Sequence, residues 1–359
     1  MNLFQTYWPS LLRLNYVSQF ITPIIKVSRK GEEKLFYTMK EYKEWSESTP
    51  DSNQWHIKYY KGLGTSTAKE GKEYFSNLER HVIPFASVTK EEEDMIDMCF
   101  KRSRCEERKS WMNQFDESTF IDYSMMSLLT VIIDVNPIPI TDFINKELIQ
   151  YSRQDCIRSI PSMIDGLKPS QRKVLYGCFK RNLTKEIKVI QLSGYISENV
   201  LYHHGEQSLN QTIVSMAQDF VGSNNINYLV PNGQFGTRIM GGKDSASPRY
   251  IYTYLHPIAR YIFKEEDEPL LTQQEEEGMK IEPKQYLPIL PTVLINGATG
   301  IGTGWSTTIC NHNPIEVTDR LIDKLKGTGK TQPLQPWYRG FTGTMQLVNN
   351  VTFSWFCHS

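Results

Sequence analysis

A hydrophobic core stops growing at roughly 250 to 300 residues, and this chain of 359 residues exceeds that limit, so it must divide into two or three domains. The punctuation suggests where. Up to about residue 112, apolar strand-like runs (Phe20 to Val27, then Lys34 to Tyr37) alternate with helical patterns such as Ser66 to Leu78, which predicts an α/β unit. A later segment reads as an amphipathic helix entered through Lys168-Pro169. Its apolar positions are Ile164, Leu167, Val174, Leu175, Cys178 and Phe179, and Lys168, Arg172, Lys173, Lys180 and Arg181 are spaced through them. No repeat or low-complexity tract interrupts the chain.

Chemistry concentrates between Gly241 and Tyr250, where a glycine-rich, cation-bearing segment ends in Arg249-Tyr250. A phenol with a pKa of about 10 is a poor nucleophile. One that attacks a phosphodiester needs fixed positive charge at the phosphorus and at the forming phenolate, and a neighbouring guanidinium supplies it through a planar, bidentate fork. Taken alone, Tyr250 is one of nineteen tyrosines.

Other signals are excluded by spacing. Lys61-Gly62-Leu63-Gly64-Thr65 followed by Lys69 places Thr67 where a P-loop needs its second glycine. Gly300 to Trp305 lacks the last glycine of a dinucleotide fingerprint. Adjacent histidines at 203 and 204 diverge on a strand or a helix, and no cysteine or histidine accompanies them at metal-ligand spacing. The six cysteines lack pairing motifs, which suggests reduced thiols. No run approaches the roughly 18 apolar residues of a membrane span, and the first twelve residues lack a secretory pattern. Formal charge is zero overall, but Glu265 to Glu277 is acidic, read as a solvated loop, whereas 168 to 188 and 229 to 250 are basic on balance.

Seven motifs occur in one order: Tyr59 to Thr67 (YYKGLGTST), Ser159 to Arg181 (SIPSMIDGLKPSQRKVLYGCFKR), Tyr202-His203-His204-Gly205, Phe220 to Asn225 (FVGSNN), Pro231 to Arg238 (PNGQFGTR), Gly241 to Tyr250 (GGKDSASPRY) and Asn296 to Trp305 (NGATGIGTGW). In this order they resemble the DNA breakage-reunion region of type IIA topoisomerases, specifically the eukaryotic-type enzyme, from about residue 8 to about residue 345.

The resemblance implies an α+β multidomain fold: the end of an α/β TOPRIM-like domain with its extension (1–112), a linker (113–139), a winged-helix, helix-turn-helix breakage-reunion domain (140–262) and the β-rich start of a tower domain (263–359). It assigns Tyr250 as the nucleophile that holds the 5′ end as a phosphotyrosine, Arg249 as its transition-state arginine and Ile301 as the wedge that bends DNA. Ile301 lies between Gly300 and Gly302, where backbone could approach DNA closely. The DNA-contacting set expected with them is Lys61, Lys168, Arg172, Lys173, His203, His204, Gln234, Arg238 and Lys243. The sequence leaves open which of His203 and His204 faces DNA.

The implied reaction passes one duplex through a transient double-strand break, with ATP hydrolysis, in a homodimer acting on double-stranded DNA. In the family, the acidic Mg²⁺ ligands and the ATPase domain precede the position of Met1, and the rest of the tower and the dimer gate follow residue 345. The expectation is therefore a partial chain: a fragment of the cleavage core or, alternatively, a cleavage-inactive DNA-binding fragment. Its expected location is the nucleus, or a site of viral DNA replication for a viral enzyme.

Overall fold

The structure is a computed structural model that describes residues 1–60, 62–116, 118–121, 123, 137–276, 278–328, 333–349 and 352–356. It forms two compact units, Met1–Arg153 and Gln154–Ser359.

In the first unit, β1 (Ser18–Phe20) pairs antiparallel with β5 (Val82–Pro84), and β2 (Ile25–Arg29), β3 (Glu32–Phe36) and β4 (His56–Tyr59) form an antiparallel sheet in the order β3-β2-β4. The single strand suggested by Phe20 to Val27 is thus two strands, with Pro23, which has no N–H for a ladder, lying between them. Ile25 and Val27 alternate inward onto Phe36, Tyr42, Trp45 and Trp55. Helices α1 (Met39–Ser48), α2 (Ala68–Ser76), α3 (Lys90–Phe100) and α4 (Cys105–Asn113) accompany the sheets. Thr67 and Thr89 start α2 and α3 through capping boxes with Glu70 and Glu92. A second core gathers Leu12, Ile83, Ile96, Trp111, Ile121, Tyr123 and Ile138. Ile121, Tyr123 and Ile138 come from the stretch expected as a linker and are buried, while its other described residues are exposed or half-buried; residues 124–136 lie outside the described residues.

The second unit takes in the end of α5 (Ile149–Ser159), from Gln154 on, and is built on α6 (Pro169–Lys180), α7 (Val189–Asn199) and α8 (Glu206–Ala217), with a two-stranded ribbon of β6 (Ile187–Lys188) and β7 (Tyr252–Thr253). Val174, Leu175, Cys178, Leu192, Ile196, Leu209 and Ile213 interlock α6, α7 and α8. Gly177 permits the approach: a Cβ there would stand 2.8 Å from Ile196 Cγ1. Three hairpins follow, β8 (Gln273–Glu276) with β9 (Met279–Pro283), β10 (Ala298–Ile301) with β11 (Ser306–Ile309), and β12 (Thr344–Asn349) with β13 (Thr352–Phe356), together with helix α9 (Pro314–Leu325). The acidic run is therefore more than a solvated loop, since it enters a 3₁₀ turn (Glu265–Leu270) and then β8.

Buried polar side chains hold these pieces in register. Asp165, fully buried, accepts from the backbone N–H of Leu167 and Tyr286. Asn225, 4% exposed, has its amide nitrogen near the carbonyls of Ile295, His312 and Trp337 and accepts from the Arg339 N–H. Each satisfies several backbone groups that would otherwise be buried without partners.

Candidate nucleophile loop and nucleic-acid interface

Tyr250 is 76% exposed, directly beside Ile251 at 1%. Ile251 packs in the helical core, and Tyr252 continues into β7, where its N–H and C=O exchange hydrogen bonds with Asn232. Anchoring the residues behind it leaves the phenol facing out, and Arg249 is exposed next to it.

The preceding loops are locked from inside by Gln218, a buried residue at the end of α8. Its amide donates to the carbonyls of Phe235 (2.8 Å) and Gly242 (3.1 Å), tying PNGQFGTR to GGKDSASPRY. Gly236 and Gly242 have positive φ, and a Cβ on either would lie 2.6 Å from Gly242 Cα or 2.3 Å from Gln218 Nε2. Asp244 accepts from the N–H and hydroxyl of Thr237, both at 2.8 Å, and these bonds hold its carboxyl below its usual pKa. Gln234 Oε1 accepts from the Gly236 N–H. Arg238, Lys243 and Arg249 stay exposed, and no partner is found for their charges among the described residues.

Ile301 ends β10 at the tip of a hairpin, opposite Ser306, and is 76% exposed. It is no core isoleucine. The flanking glycines have a different cause from the one their sequence suggests. A Cβ on Gly300 would meet Ser159 O at 2.3 Å, and one on Gly302 would meet Cys156 Sγ at 2.9 Å. They let the hairpin lie against α5, where the Cys156 thiol donates to Thr303 O and the Thr303 hydroxyl to Asp155. Burial is the main reason the Cys156 thiol titrates above its usual value. Ile301 projects from a tip fixed on its other side.

Four of the expected DNA-contacting residues share one cleft. Lys168, Lys173, His203 and His204 line a space of about 510 Å³ with Arg158, Ser170, Tyr202 and Glu276. Within it the geometry separates the histidines. His203 Nε2 lies 2.7 Å from Glu276 Oε1, so the ring donates to a carboxylate. The His204 ring meets Tyr202 edge-on at 5.4 Å.

Two expectations change. Arg172 is 5% exposed, its Nε and Nη2 bound to Asp165 at 2.8 and 3.0 Å and Nη2 also donating to Leu167 O, so it serves the fold and offers nothing to a phosphate. Lys173 is compensated in the same way, by Glu282 at 2.8 Å and Val200 O at 3.0 Å. Asp165 is seven residues before Arg172, whereas Glu282 lies more than a hundred residues from Lys173. Lys61 lies outside the described residues. Its loop is closed by Glu70, which accepts from the Tyr60 hydroxyl, Lys58 and the Thr67 N–H. Burial pushes that carboxyl up more than any single bond lowers it, yet together the bonds bring it to about 2. Gln218, Asp165 and Asn225 carry no composition or spacing signal that marks them in advance, and Glu70 is marked only as the partner of Thr67 in a capping box. Among the described residues no three His, Cys, Asp or Glu side chains converge as a metal site would require.

Comparison with known proteins gives consistent matches. Residues 158–354 match the family of DNA gyrase/topoisomerase IV A subunits, and residues 20–156 match the C-terminal associated domain of TOPRIM. DNA topoisomerase 2, mitochondrial, of Dictyostelium discoideum is 52% identical over 96% of this chain and 26% of its own length. DNA topoisomerase 2 of Saccharomyces cerevisiae is 48% identical over 98% of this chain and 24% of its own. The chain thus spans about a quarter of these relatives. The crystal structure of the Plasmodium falciparum topoisomerase II DNA-binding, cleavage and re-ligation domain superposes with a TM-score of 0.78 at 47% identity, covering 98% of this chain and 46% of that one.

Proposed function

The chain belongs to the type II DNA topoisomerase family, on its eukaryotic branch, and we propose that it supplies the nucleophile half of a DNA cleavage site. The observation that carries this reading is the exposed Arg249-Tyr250 pair, fixed from behind by Ile251 and by the Gln218-bound loops. The Tyr250 phenol gives up its proton as its oxygen bonds to a backbone phosphorus, and the 3′ oxygen leaves and takes up a proton. The 5′ phosphate stays on the tyrosine. Religation reverses each step, conserving the phosphodiester energy in the covalent link. Arg249 offsets charge on the non-bridging oxygens, where a preorganised donor acts most strongly. Ile301 enters a base step and bends the duplex, and Arg238, Lys243 and Lys168 contact phosphates without reading sequence.

Type II topoisomerases are generally Mg²⁺-dependent. The metal ligands and the ATP-hydrolysing domain are supplied from outside these residues, and two copies cut the two strands in a homodimer. The nucleus is the expected compartment, although one relative is named as mitochondrial. In a second reading, this chain alone binds DNA without cleaving it.

Denaturant trapping on end-labelled duplex with Mg²⁺ distinguishes the two. Joined to the upstream acidic segment of a relative, the chain should form a 5′ adduct on Tyr250, and Tyr250→Phe should abolish the adduct with little loss of binding. An adduct on another residue overturns the assignment. A chain that binds yet never forms an adduct, even when joined, supports the second reading.

A further inference from the structure

The loop between the two motifs that frame the nucleophile carries a feature that the cleavage step leaves unused. Ile239 is 93% exposed and Met240 55%. They cap a narrow finger closed by Gly241 N–H to Arg238 O (3.1 Å), Gly242 N–H to Thr237 O (2.9 Å) and Lys243 N–H to Met240 O (3.2 Å). The base of the finger is pinned by the Gln218 amide and by the Asp244 carboxylate on Thr237. A finger held this firmly cannot fold its apolar tip back onto the core. Its outward chemistry is one-sided as well. Arg238 and Lys243 flank the tip, while Asp244, the one acidic residue between 234 and 250, is turned inward onto Thr237.

An apolar tip between two cations complements a duplex, whose phosphates flank apolar sugar and base faces. We propose that Ile239, with Met240 beside it, is a second apolar DNA contact on the nucleophile side of the site, seated in a groove while Arg238 and Lys243 hold the phosphates on either side. This rests on the DNA-cleavage reading above and extends it to residues outside the nucleophile and the Ile301 hairpin. The contact is sequence-tolerant because it reads no base edge.

The test is a salt titration of binding between the 359-residue chain and a fluorescent duplex, with sedimentation and thermal unfolding alongside. Ile239→Ala should weaken binding by about three- to tenfold, as loss of part of a buried isoleucine does, with the salt slope and unfolding unchanged. Arg238→Ala should lower the slope by about one. If Ile239→Ala binds like the parent while Arg238→Ala still lowers the slope, the proposal fails and the DNA reading stands. If Ile239→Ala removes self-association and leaves DNA binding intact, the finger is a contact between copies and the proposal is wrong. If the parent chain binds no duplex at any salt, both readings fall.

Discussion

Ile301 and Arg172 invert the usual partition of side chains, and they do so in opposite directions. Ile301 is apolar and 76% exposed, at a hairpin tip fixed by two glycines against α5. Arg172 is charged and 5% exposed, inside a fully bonded pair with Asp165. An exposed apolar residue on a rigid support has been left available for a partner, whereas a buried charge bound through Nε and Nη2 to a buried carboxylate has been taken up by the fold. The family resemblance assigns both to DNA. Packing separates them.

The largest expected effect tests the Arg172 side of that contrast. Arg172→Ala leaves Asp165 charged and unpaired in the core, and should cost about 3–5 kcal/mol in urea unfolding of the second unit. Arg172→Lys should recover only part, because one ammonium cannot span both carboxylate oxygens and Leu167 O. A loss in DNA salt slope without a loss of stability would return Arg172 to the surface set. Next comes the support of the Ile301 tip. Gly300→Ala forces a Cβ against Ser159 O, a backbone atom that cannot yield locally, and should cost about 2–3 kcal/mol with DNA bending reduced as well. Unchanged stability would show that the hairpin does not rest on α5.

Glu70 is an intermediate case, a charge nearly buried but surrounded by donors, its side chain 13% exposed. Its folded pKa of about 2 lies below the ordinary carboxyl value of 4.5, so its stabilisation is present above pH 4.5 and is lost as pH falls from 4.5 toward 2. Glu70→Gln should therefore cost about 1–2 kcal/mol at neutral pH, after allowance for solvent screening, and the gap to the parent should close in that acid window. A gap that persists to the lowest pH would mean that lost packing, not charge, explains the variant. The smallest effect belongs to Ile301 itself. Ile301→Ala should leave thermal unfolding within about 0.5 kcal/mol while lowering DNA bending read by end-to-end energy transfer, with little change in salt slope. Clear destabilisation would mean the tip is part of the core after all.

Much of the chain was legible without coordinates. The motif order marks Arg249, Tyr250 and Ile301. The apolar spacing of 174, 175, 178 and 179 marks a helix, and all four positions are buried in α6. The assignments that needed revision share one cause. Arg172, Lys173 and the glycines around Ile301 were read from their neighbours in sequence, yet their partners are Asp165, Glu282, Ser159 and Cys156, the last three more than a hundred residues away. The stretch 113–139 looked like a linker because the contacts that bury Ile121 and Ile138 are likewise distant in the chain.

Sequence by itself therefore determined the local elements and which residues have the chemistry to attack, clamp or wedge a DNA backbone, because propensity, capping and nucleophilicity belong to a residue and its immediate neighbours. Tertiary structure decided which of those residues remain free to do so. Burial and pairing depend on segments brought together only by folding, and a cation that has found its carboxylate has no charge left for a phosphate.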